Sequence, residues 1–462
     1  MTIITQKEKT RDQQKLIQMP LSLHFFKCLL VLLLICFSGC KPAPVKTSPV
    51  KTPVTLEFSI WGGPAEKALY QQEITVFEAL HPQIHIALLH IPDNYYQKLH
   101  LLAASDLLPD IVMINSQYLP VYASHGLFED MSGFQLVGSE TSKSPSESLS
   151  GIFYPNALKA METPINTSGK PVLAAIPRDI SNLVVYLNKE AFRRRHLSLP
   201  KANWTWADLL RIGKILTVDN DHDGRPEQYG LSFYKNPPLF WLPFVWSAGG
   251  DWLSPDGRRV TLNTKEAQEG LRFYQGLRHH FHIAPRQEES GSRLMSELFL
   301  NQTVAMMISG RWTVPVLREK ATFDWDVLPL PRGSAGSKVG IDATGYAVSH
   351  ASKHKEAAKL WVQFLSSRTV QEKLAQSGLL IPARQDVAES KAFLDPSHKP
   401  GEHARVFLDV ISSGVPTRSH PRWNEMSEAL NHGFEPVWNG EETVETGTER
   451  LIRQMQPWLE QP

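Results

Sequence analysis

The sequence predicts an α/β protein with two sheets rather than one. Segments with the two-residue period of a strand alternate with amphipathic helical segments along the chain, without an internal repeat. The chain has 462 residues, roughly two to three times the length of an ordinary domain, so we expect more than one lobe. Its 48 Lys and Arg balance 47 Asp and Glu, which argues against a disordered chain and against a nucleic-acid binder that works through bulk charge.

The first forty residues have the layout of an export signal. Residues 28–37 (CLLVLLLICF) form an uncharged apolar run that is too short to span a bilayer. Lys27 precedes this run, and the small residues Ser38 and Gly39 follow it, as in a secretory signal peptide. Because Cys40 comes next, the segment FSGC resembles a bacterial lipoprotein signal, in which the Cys is lipidated and becomes the first residue. An ordinary cleaved signal with an incidental Cys is the alternative.

The sequence therefore predicts a signal peptide over 1–39 and, over 40–54, a lipidated Cys40 with a tether rich in Pro, Lys and Thr. Met19 would begin a more conventional signal than Met1. We expect an exported protein, anchored to the cell membrane by a palmitate-type lipid and facing the periplasm or the cell exterior. Cleavage leaves Cys40 as the one cysteine, so the exported region needs no disulfide.

The exported region begins with a predicted strand–helix–strand–helix–strand unit. The strands are 55–60 (TLEFSI), 84–90 and 110–115 (DIVMIN), and the helices are 69–80 and 95–104. Parallel strands with helices on the sheet faces are expected from this order and spacing. Residues 135–150 are rich in Ser, Glu and Gly and are predicted to form a surface loop.

Strands and helices continue to alternate towards the C-terminus. The predicted strands are 172–176, 183–187, 229–233 and 304–309. The predicted helices are 206–216, with Thr205 as its N-cap, 267–279 and 353–366, and the chain from 402 to 458 is mostly helical.

The order of several short segments is more specific than any one of them. LEFSIWGGP, LPDIVMINSQYLPVYASHGLFEDMSG and AIPRDISNLVVYLNKEAF are followed by FVWSAGGDWLSPDG, FLNQTVAMMISGRW and DATGYAVSHASKHKEAAKLWVQFLSS. As an ordered set within 55–390, they resemble the extracellular solute-binding proteins that serve ABC transporters for oligosaccharides and related polyols, including the maltose and multiple-sugar binding proteins.

The resemblance implies a two-lobe periplasmic-binding-protein fold with discontinuous lobes and hinge crossings. Lobe 1 would comprise 55–178 and 332–384, and lobe 2 would comprise 179–331 and 385–462. The crossings would lie near 176–183, 328–340 and 381–387. Such a fold binds a solute in a central cleft, closes on it by hinge motion and presents it to a membrane permease. We expect a monomer that needs no cofactor.

Tryptophan is the one over-supplied residue type, with 12 copies. Sugars present apolar C–H faces, which stack on aromatic rings, and rims of hydroxyls, which bind planar polar side chains. Because open α/β sheets place ligands at strand ends, we favour Trp246 and Trp312 as stacking platforms, followed by Trp61. Trp241, in a segment (PPLFWLP) that we interpret as a loop, is a fourth candidate. The tryptophans in helical patterns are assigned to packing: Trp206, Trp361 and Trp458.

Candidate polar partners lie in the same loops and crossings. They are Asn115, Ser116, Asp179, Gly249, Gly250, Arg311, Asp342 and Arg384. The two glycines would let the backbone approach a ligand closely. For the arginines of the crossings, including Arg178, salt bridging at the hinge is the alternative. If Arg311 faces the cleft, an anionic solute such as a uronide becomes acceptable. Asp342 opposes an anion, so we favour a neutral sugar.

The segment 219–230 (DNDHDGRPEQYG) resembles the start of a calcium loop. Asp219, Asp221 and Asp223 occupy alternate positions, as carboxylates do around a hard cation. Position twelve is Gly230 instead of a bidentate Glu, and Glu227 is the nearby later carboxylate. We therefore favour a solvated turn over bound Ca²⁺, and any cation there would be structural.

The sequence lacks the usual signatures of catalysis: an HExxH helix, a G-x-S-x-G elbow, a phosphate loop and a dinucleotide fingerprint. A glycoside hydrolase needs only two carboxylates, which no motif can exclude. The prediction is a non-enzymatic, substrate-binding lipoprotein of an ABC importer that captures a sugar. The alternatives are a surface-anchored carbohydrate-active enzyme and a binding lipoprotein that feeds a sensor or a chemoreceptor.

Overall fold

The computed structural model describes residues 53–137, 146–165, 169–290 and 293–460. The predicted signal peptide, Cys40 and all but the last two residues of the predicted tether lie outside the described residues. Within the described ranges, no helix combines the length and the apolar character that crossing a membrane requires.

The larger of the two main sheets has six strands of mixed direction. The strands of the chain are β1 (Val54–Ile60), β2 (Ile84–His90), β3 (Ile111–Asn115), β4 (Leu136–Val137), β5 (Ser146–Glu147), β6 (Glu162–Pro164), β7 (Pro171–Leu173), β8 (Ile176–Ser181), β9 (Val184–Asn188), β10 (Met306–Ser309), β11 (Trp325–Leu328), β12 (Asp342–Val348) and β13 (Ile381–Pro382). The larger sheet has the order β13-β8-β12-β3-β1-β2. As predicted, β1 is parallel to β2 and β3, whereas β12 is antiparallel to β3 and to β8.

The second main sheet is antiparallel and has the order β10-β9-β11. Only residues 182–183 separate β8 of the first sheet from β9 of the second, and the chain returns through 329–341 between β11 and β12. Two short ladders, β4–β5 and β6–β7, complete the strands. The two main sheets are therefore joined by short crossings that start from their strand ends.

The helices confirm the amphipathic segments of the sequence. They are α1 (Pro64–Leu80), α2 (Tyr95–Ala104), α3 (Leu119–Ala123), α4 (Leu149–Ile152), α5 (Pro155–Ala160), α6 (Lys189–Arg194), α7 (Trp206–Leu216), α8 (Pro238–Ser247), α9 (Lys265–His279), α10 (Gln287–Ser290), α11 (Met295–Leu300), α12 (Val314–Lys320), α13 (Lys355–Leu365), α14 (Arg368–Gln376), α15 (Gln385–Ala388), α16 (Lys391–Leu394), α17 (Val406–Asp409), α18 (Trp423–Gly433), α19 (Glu435–Trp438) and α20 (Val444–Leu459). At the start of α7, Thr205 accepts a hydrogen bond from the Asp208 amide, and the Asp208 side chain accepts one from the Thr205 amide. This reciprocal cap explains why α7 begins where the sequence predicts.

Three local expectations were wrong. The segment interpreted as a loop around Trp241 is α8, a helix in which nine of ten residues are buried. Residues 229–233 form only isolated bridges, between Tyr229 and Val304 and between Ser232 and Met307, and not a regular strand. The predicted strand at 172–176 is divided, because β7 ends before β8 begins. In each case, contacts with distant parts of the chain decide the local structure.

The C-terminal helices α18 and α20 pack on α8 and α9. The ring of Trp241 in α8 contacts Phe434 edge-on, with the centroids 5.2 Å apart, and lies 6.3 Å from Trp438 of α19. Helix α18 also contacts α3, which follows β3 of the first sheet. Residues 401–405 contact β11 of the second sheet, so the C-terminal region touches elements of both main sheets.

Candidate functional site

A cavity of about 190 Å³ lies where strand ends of the two main sheets meet. Five of the predicted ligand-binding residues line it: Trp61, Asn115, Asp179, Arg311 and Trp312. Trp61 and Asn115 stand at the carboxyl ends of the parallel strands β1 and β3, and Arg311 and Trp312 follow β10 of the second sheet. The cavity is therefore at the edge where open α/β sheets hold their ligands.

The two cavity tryptophans have different supports. Trp312 lies in a 3-10 turn directly after β10, and 38% of its surface is exposed. A Cβ on Gly310 would overlap the Trp312 ring, so glycine is required where the ring folds back over the turn. Trp61 packs edge-on against Tyr95, with the ring centroids 5.0 Å apart. Each indole is thus fixed in place while part of it faces open space.

Three buried charged side chains form one wall of the cavity. Arg178 donates from Nη2 to Glu66 Oε1 at 2.5 Å, and its Nε lies 3.2 Å from Asp179 Oδ2. Burial raises the pKa of Asp179 to about 6, and the nearby Arg178 charge and a hydrogen bond with Thr344 oppose this rise. Asp179 is therefore ionised at neutral pH and can accept hydrogen bonds from ligand hydroxyls.

Arg311 is almost completely enclosed. Its Nε donates to the carbonyl of Gly378 at 3.2 Å, and its guanidinium lies 4.3 Å from the ring centre of Phe393 and 5.1 Å from that of Phe407. Nη1 and Nη2 have no hydrogen-bond partner among the described residues. Burial lowers the pKa of Arg311 to about 10, so the group keeps its charge at neutral pH. Arg311 has no carboxylate partner among the described residues, so hinge salt bridging does not account for its position, and it lines the cavity with two unpartnered Nη groups.

Ser116 and Asp342 belong to a polar group outside the cavity lining. The Ser116 hydroxyl accepts a hydrogen bond from the Ala343 amide at 3.2 Å, and Gln117 donates to Asp342 Oδ2 at 2.9 Å. Burial raises the pKa of Asp342 to about 6, partly offset by hydrogen bonds from Thr417 and Gln117. These contacts join the loop after β3 to the crossing that precedes β12.

Two candidates from α8 take packing or supporting positions. Trp241 was proposed as a stacking platform, but its side chain is fully buried and its Nε1 donates to the Asn236 carbonyl at 3.1 Å. Trp246 lies in the last turn of the helix, not in a loop, and only 5% of its surface is exposed. Its Nε1 donates to Asp251 Oδ1 at 2.9 Å. Trp241 therefore has no face for a sugar, and Trp246 orients Asp251.

The glycines after α8 and the arginine of the third crossing also have local explanations. A Cβ on Gly250 would lie 2.5 Å from the Ala267 amide nitrogen, so close helix packing, not ligand approach, requires this glycine. Gly249 has a positive φ of 94°, which ends α8. Arg384 donates from Nε and Nη2 to Asp386 and from Nη1 to the Ser366 carbonyl. These three residues lie outside the cavity lining.

The acidic loop after α7 brings together a different trio from the predicted one. Carboxylate oxygens of Asp219, Asp221 and Glu227 lie within 4.8 Å of one another. Asp223 Oδ1 instead accepts the Arg225 amide at 2.7 Å. The structure therefore replaces Asp223 by Glu227 as the third carboxylate of any cation site, and cation binding there stays a prediction.

Sequence reasoning missed several polar residues of the cavity: Glu66, Ser181 and Thr344, with Arg178 considered only for a hinge salt bridge. Glu66 had a usable signal, because an acidic residue in the first turn of the helix after β1 lies at the same sheet edge as Trp61. Ser181 and Thr344 had none, since their positions depend on pairing between β8, β12 and β3.

Two α/β sheets joined by short crossings, with an aromatic and polar cavity between strand ends, define a two-lobe solute-binding architecture. A family model described as bacterial extracellular solute-binding protein matches residues 59–372, which is more than half of the chain. The chain therefore belongs to this family of solute-binding proteins.

Solved structures and relatives agree with this assignment. An ABC substrate-binding protein of Listeria monocytogenes, solved with cycloalternan, is 22% identical with a TM-score of 0.77, over 89% of this chain and 100% of that one. The GacH receptor of Streptomyces glaucescens, solved unliganded and with acarbose, is 22% identical with a TM-score of 0.74, over 89% and 99%. An uncharacterised lipoprotein of Streptomyces antibioticus is 22% identical over 436 residues, 90% of this chain and 88% of that protein. At this identity, the structural likeness establishes the fold.

Proposed function

We propose that this protein is the substrate-binding component of an ABC importer and that it captures a sugar in the cavity between its two sheets. The observation that carries the proposal is the composition of the cavity. It combines Trp61 and Trp312, which follow strands of different sheets, with the polar side chains of Asn115, Asp179 and Thr344. Indole faces stack on the C–H faces of a sugar, and amide, carboxylate and hydroxyl groups bind its hydroxyls.

The ligands of similar proteins support a carbohydrate. The substrate-binding protein of Listeria monocytogenes was solved with cycloalternan. A similar maltose/maltodextrin-binding domain from Bdellovibrio bacteriovorus was solved with maltotriose. We infer that the ligand of this chain belongs to the same chemical class. The cavity lining carries two cations, Arg178 and Arg311, and two carboxylates, Glu66 and Asp179. Because these formal charges balance, we favour a neutral sugar over a uronide.

Capture requires the two sheets to move relative to each other. We propose lobe 1 over 55–178 and 332–384 and lobe 2 over 179–331 and 385–462, with closure about the short crossings. Trp61 and Trp312 would then approach the sugar from opposite sides. The closed, liganded monomer would be the form that the membrane permease accepts.

Export and anchoring complete the proposal. We infer that residues 1–39 are removed and that Cys40 carries the lipid, because the chain has the FSGC segment and a similar Streptomyces protein is named a lipoprotein. Metabolic labelling with a palmitate analogue tests this inference. Cys40→Ser should abolish both the label and membrane retention. Cys36→Ser is the matched control, since it changes a cysteine within the predicted signal peptide and should leave the mature protein labelled.

Titration calorimetry with a panel of sugars tests capture. Trp312→Ala should weaken the binding of the best ligand at least tenfold, or about 1.4 kcal/mol, without lowering the melting temperature of the free protein. Trp206 stacks on Phe273 with the ring centroids 4.1 Å apart and does not line the cavity, so Trp206→Ala should leave the affinity of the folded protein unchanged. Conversion of the sugar to product by purified protein would instead identify a carbohydrate-active enzyme.

A further inference from the structure

Two arginines that follow β10 of the second sheet contact the end of a helix that belongs to the larger sheet. Arg311 lies in the 3-10 turn after β10, and Arg318 lies in α12, which follows that turn. Helix α14 ends at Gln376, and residues 377–380 lead from it into β13 of the larger sheet. The contact therefore joins elements that are attached to different sheets.

Backbone carbonyls at the end of α14 accept the hydrogen bonds of the two arginines. Arg311 Nε donates to the Gly378 carbonyl at 3.2 Å, and Arg318 Nη1 donates to the Gln376 carbonyl at 3.3 Å. Carbonyls at a helix C-terminus lack partners within the helix and lie at the negative end of its dipole, which favours cations there. We call these four residues the arginine latch: Arg311, Arg318, Gln376 and Gly378.

Arg318 and Gly378 fit closely together. Gly378 has a φ of 79°, in the region that favours glycine, and a Cβ there would lie 2.7 Å from Arg318 Nη1. On its other side, Arg318 Nε donates to the Lys399 carbonyl at 2.8 Å. The Lys399 ammonium in turn contacts Asp324, the residue before β11. Arg318 thus connects the end of α14 to a segment that is tied to the second sheet.

The Arg311 guanidinium is enclosed by rings from both sides of the molecule. The ring of Phe393, 4.3 Å away, belongs to α16, which packs on α14. The ring of Phe407, 5.1 Å away, belongs to α17 and lies 6.4 Å from the ring of Tyr186 in β9 of the second sheet. A change in the relative position of the two sheets would therefore disturb the packing around Arg311 as well as its hydrogen bond.

The latch adjoins the cavity on both of its sides. Arg311 and Trp312 line the cavity from the second sheet, and Leu379 and Leu380, directly after Gly378, line it from the larger sheet. Nη1 and Nη2 of Arg311 stay without a partner among the described residues while Nε is held by the latch. The latch therefore determines where these donors and the Trp312 indole lie relative to the opposite wall.

We propose that the arginine latch sets the relative orientation of the two lobes in the ligand-free protein, and that it thereby determines the fraction of molecules whose cavity is ready to bind. Arg318 and Gly378 are positioning residues, since they act through Arg311 and Trp312. The apparent affinity for a ligand falls in proportion to the binding-competent fraction. The effect on affinity rests on the proposed function, whereas the orientation of the lobes is measurable without a ligand.

Small-angle X-ray scattering of the mature protein without ligand tests the orientation. Arg318→Met keeps an apolar stem and removes the donors, so the lobes should sample a wider range and the radius of gyration should exceed that of the wild type. Arg318→Lys keeps the charge and a donor, and its radius should lie between the two. Gly378→Ala should act like Arg318→Met, because its Cβ would displace Arg318 from the opposite side. Far-UV circular dichroism should match the wild type in all three variants, which separates a change in orientation from unfolding.

Two controls and one ligand complete the design. Arg272→Met removes a cation that pairs with Glu445 within one lobe, where both side chains are 47% exposed. Gly257→Ala changes a glycine with a φ of 71° whose Cβ would have no atom within 4 Å. Both controls should keep the wild-type radius. In calorimetric titrations with maltotriose, Arg318→Met and Gly378→Ala should bind at least about fivefold more weakly than the wild type, and the controls should bind like it.

The outcomes separate the latch from sugar capture. A larger radius and weaker maltotriose binding in both latch variants, with neither change in the controls, support the proposal. A wild-type radius in Arg318→Met and Gly378→Ala would overturn it, and so would a larger radius with unchanged affinity. If the wild-type protein binds neither maltotriose nor any other sugar, the proposed function fails and the scattering result alone decides the latch.

Discussion

Replacing Arg178 by Met should destabilise the ligand-free protein strongly, and more so at neutral than at acidic pH. The guanidinium lies between two buried carboxylates, 2.5 Å from Glu66 and 3.2 Å from Asp179. All three side chains are less than a tenth exposed. Removal of one partner from a buried ion pair leaves an uncompensated charge and costs about 3–5 kcal/mol.

The pH dependence follows from the carboxylates. Burial raises the pKa of Asp179 to about 6, above the value of about 4 expected for an unfolded chain. The folded state thus binds more protons than the unfolded state between these values, and the contribution of Asp179 to stability falls as the pH rises through this window. Without Arg178 the folded pKa rises further, so the window extends towards neutrality. Acidification should therefore restore part of the stability that the variant has lost.

Urea denaturation near pH 5 and near pH 7.5 measures both effects as free energies of unfolding. Arg211→Met is the matched control, because Arg211 pairs with Asp208 at 3.2 Å on the surface, where the two side chains are 59% and 39% exposed. This control should lose less than about 1 kcal/mol at either pH. A loss in Arg178→Met no larger than in the control, or equal at the two pH values, would refute the account of the buried charge group.

Three further predictions concern packing and titration. Trp241→Ala should lower the free energy of unfolding by about 3–5 kcal/mol in urea denaturation, because this ring is fully buried; the sugar affinity of the folded fraction should not change, and a selective loss of affinity would restore Trp241 as a ligand contact. Gly250→Ala should cost about 1–3 kcal/mol, since its Cβ would lie 2.5 Å from the Ala267 amide nitrogen; an unchanged melting temperature would contradict this contact. Burial raises the pKa of Asp342 to about 6, so the wild-type protein should lose stability as the pH rises from about 4 to about 6. Asp342→Asn should reduce this loss. If the melting temperature of the variant falls with pH as steeply as that of the wild type, Asp342 is not responsible.

Elements with a strong local pattern could be predicted from the sequence almost to the residue. The strand at Ile84–His90 and the helices at Tyr95–Ala104 and Trp206–Leu216 have the predicted bounds. The hydrophobic period or the capping residues that predict each of these elements lie within or next to the element itself. Helix α8 has no such signal, because its residues are apolar on every side and include Pro243 within the helix. Burial among the C-terminal helices decides its structure, and that information lies about 190 residues away in the chain.

In the candidate site, too, the sequence predicts the residues that have a local signal and misses those whose positions depend on distant contacts. Trp61, Asn115 and Trp312 were chosen because they follow strands, and the structure brings all three to the cavity. For Trp61 and Asn115 the reason is that the parallel strands β1 and β3 end at a common edge. Trp312 instead follows a strand of the antiparallel sheet, and Trp246, which was favoured by the same rule, lies in α8 outside the cavity lining. Gly250 was chosen because it would let the backbone approach a ligand closely, and Trp241 because its segment was interpreted as a loop. Neither property depends on where the sheet ends. Thr344 was missed because its position opposite Asn115 comes from antiparallel pairing between β12 and β3, which no local pattern reveals.

The number of tryptophans was a weaker guide than their positions. Eight of the 12 are buried: Trp204, Trp241, Trp246, Trp252, Trp325, Trp361, Trp423 and Trp438. An excess of tryptophan therefore reflects mainly the packing of two sheets and their helices, which any protein of this architecture needs. Trp61 and Trp312 differ because Trp61 directly follows β1 and Trp312 lies in the short turn after β10, so the backbone holds each indole at the cavity. If these two rings form the sugar site, transferring a tryptophan to another exposed position, as in Leu199→Trp, should not compensate for their loss. Replacement of either ring by another aromatic at the same strand end should preserve most of the affinity.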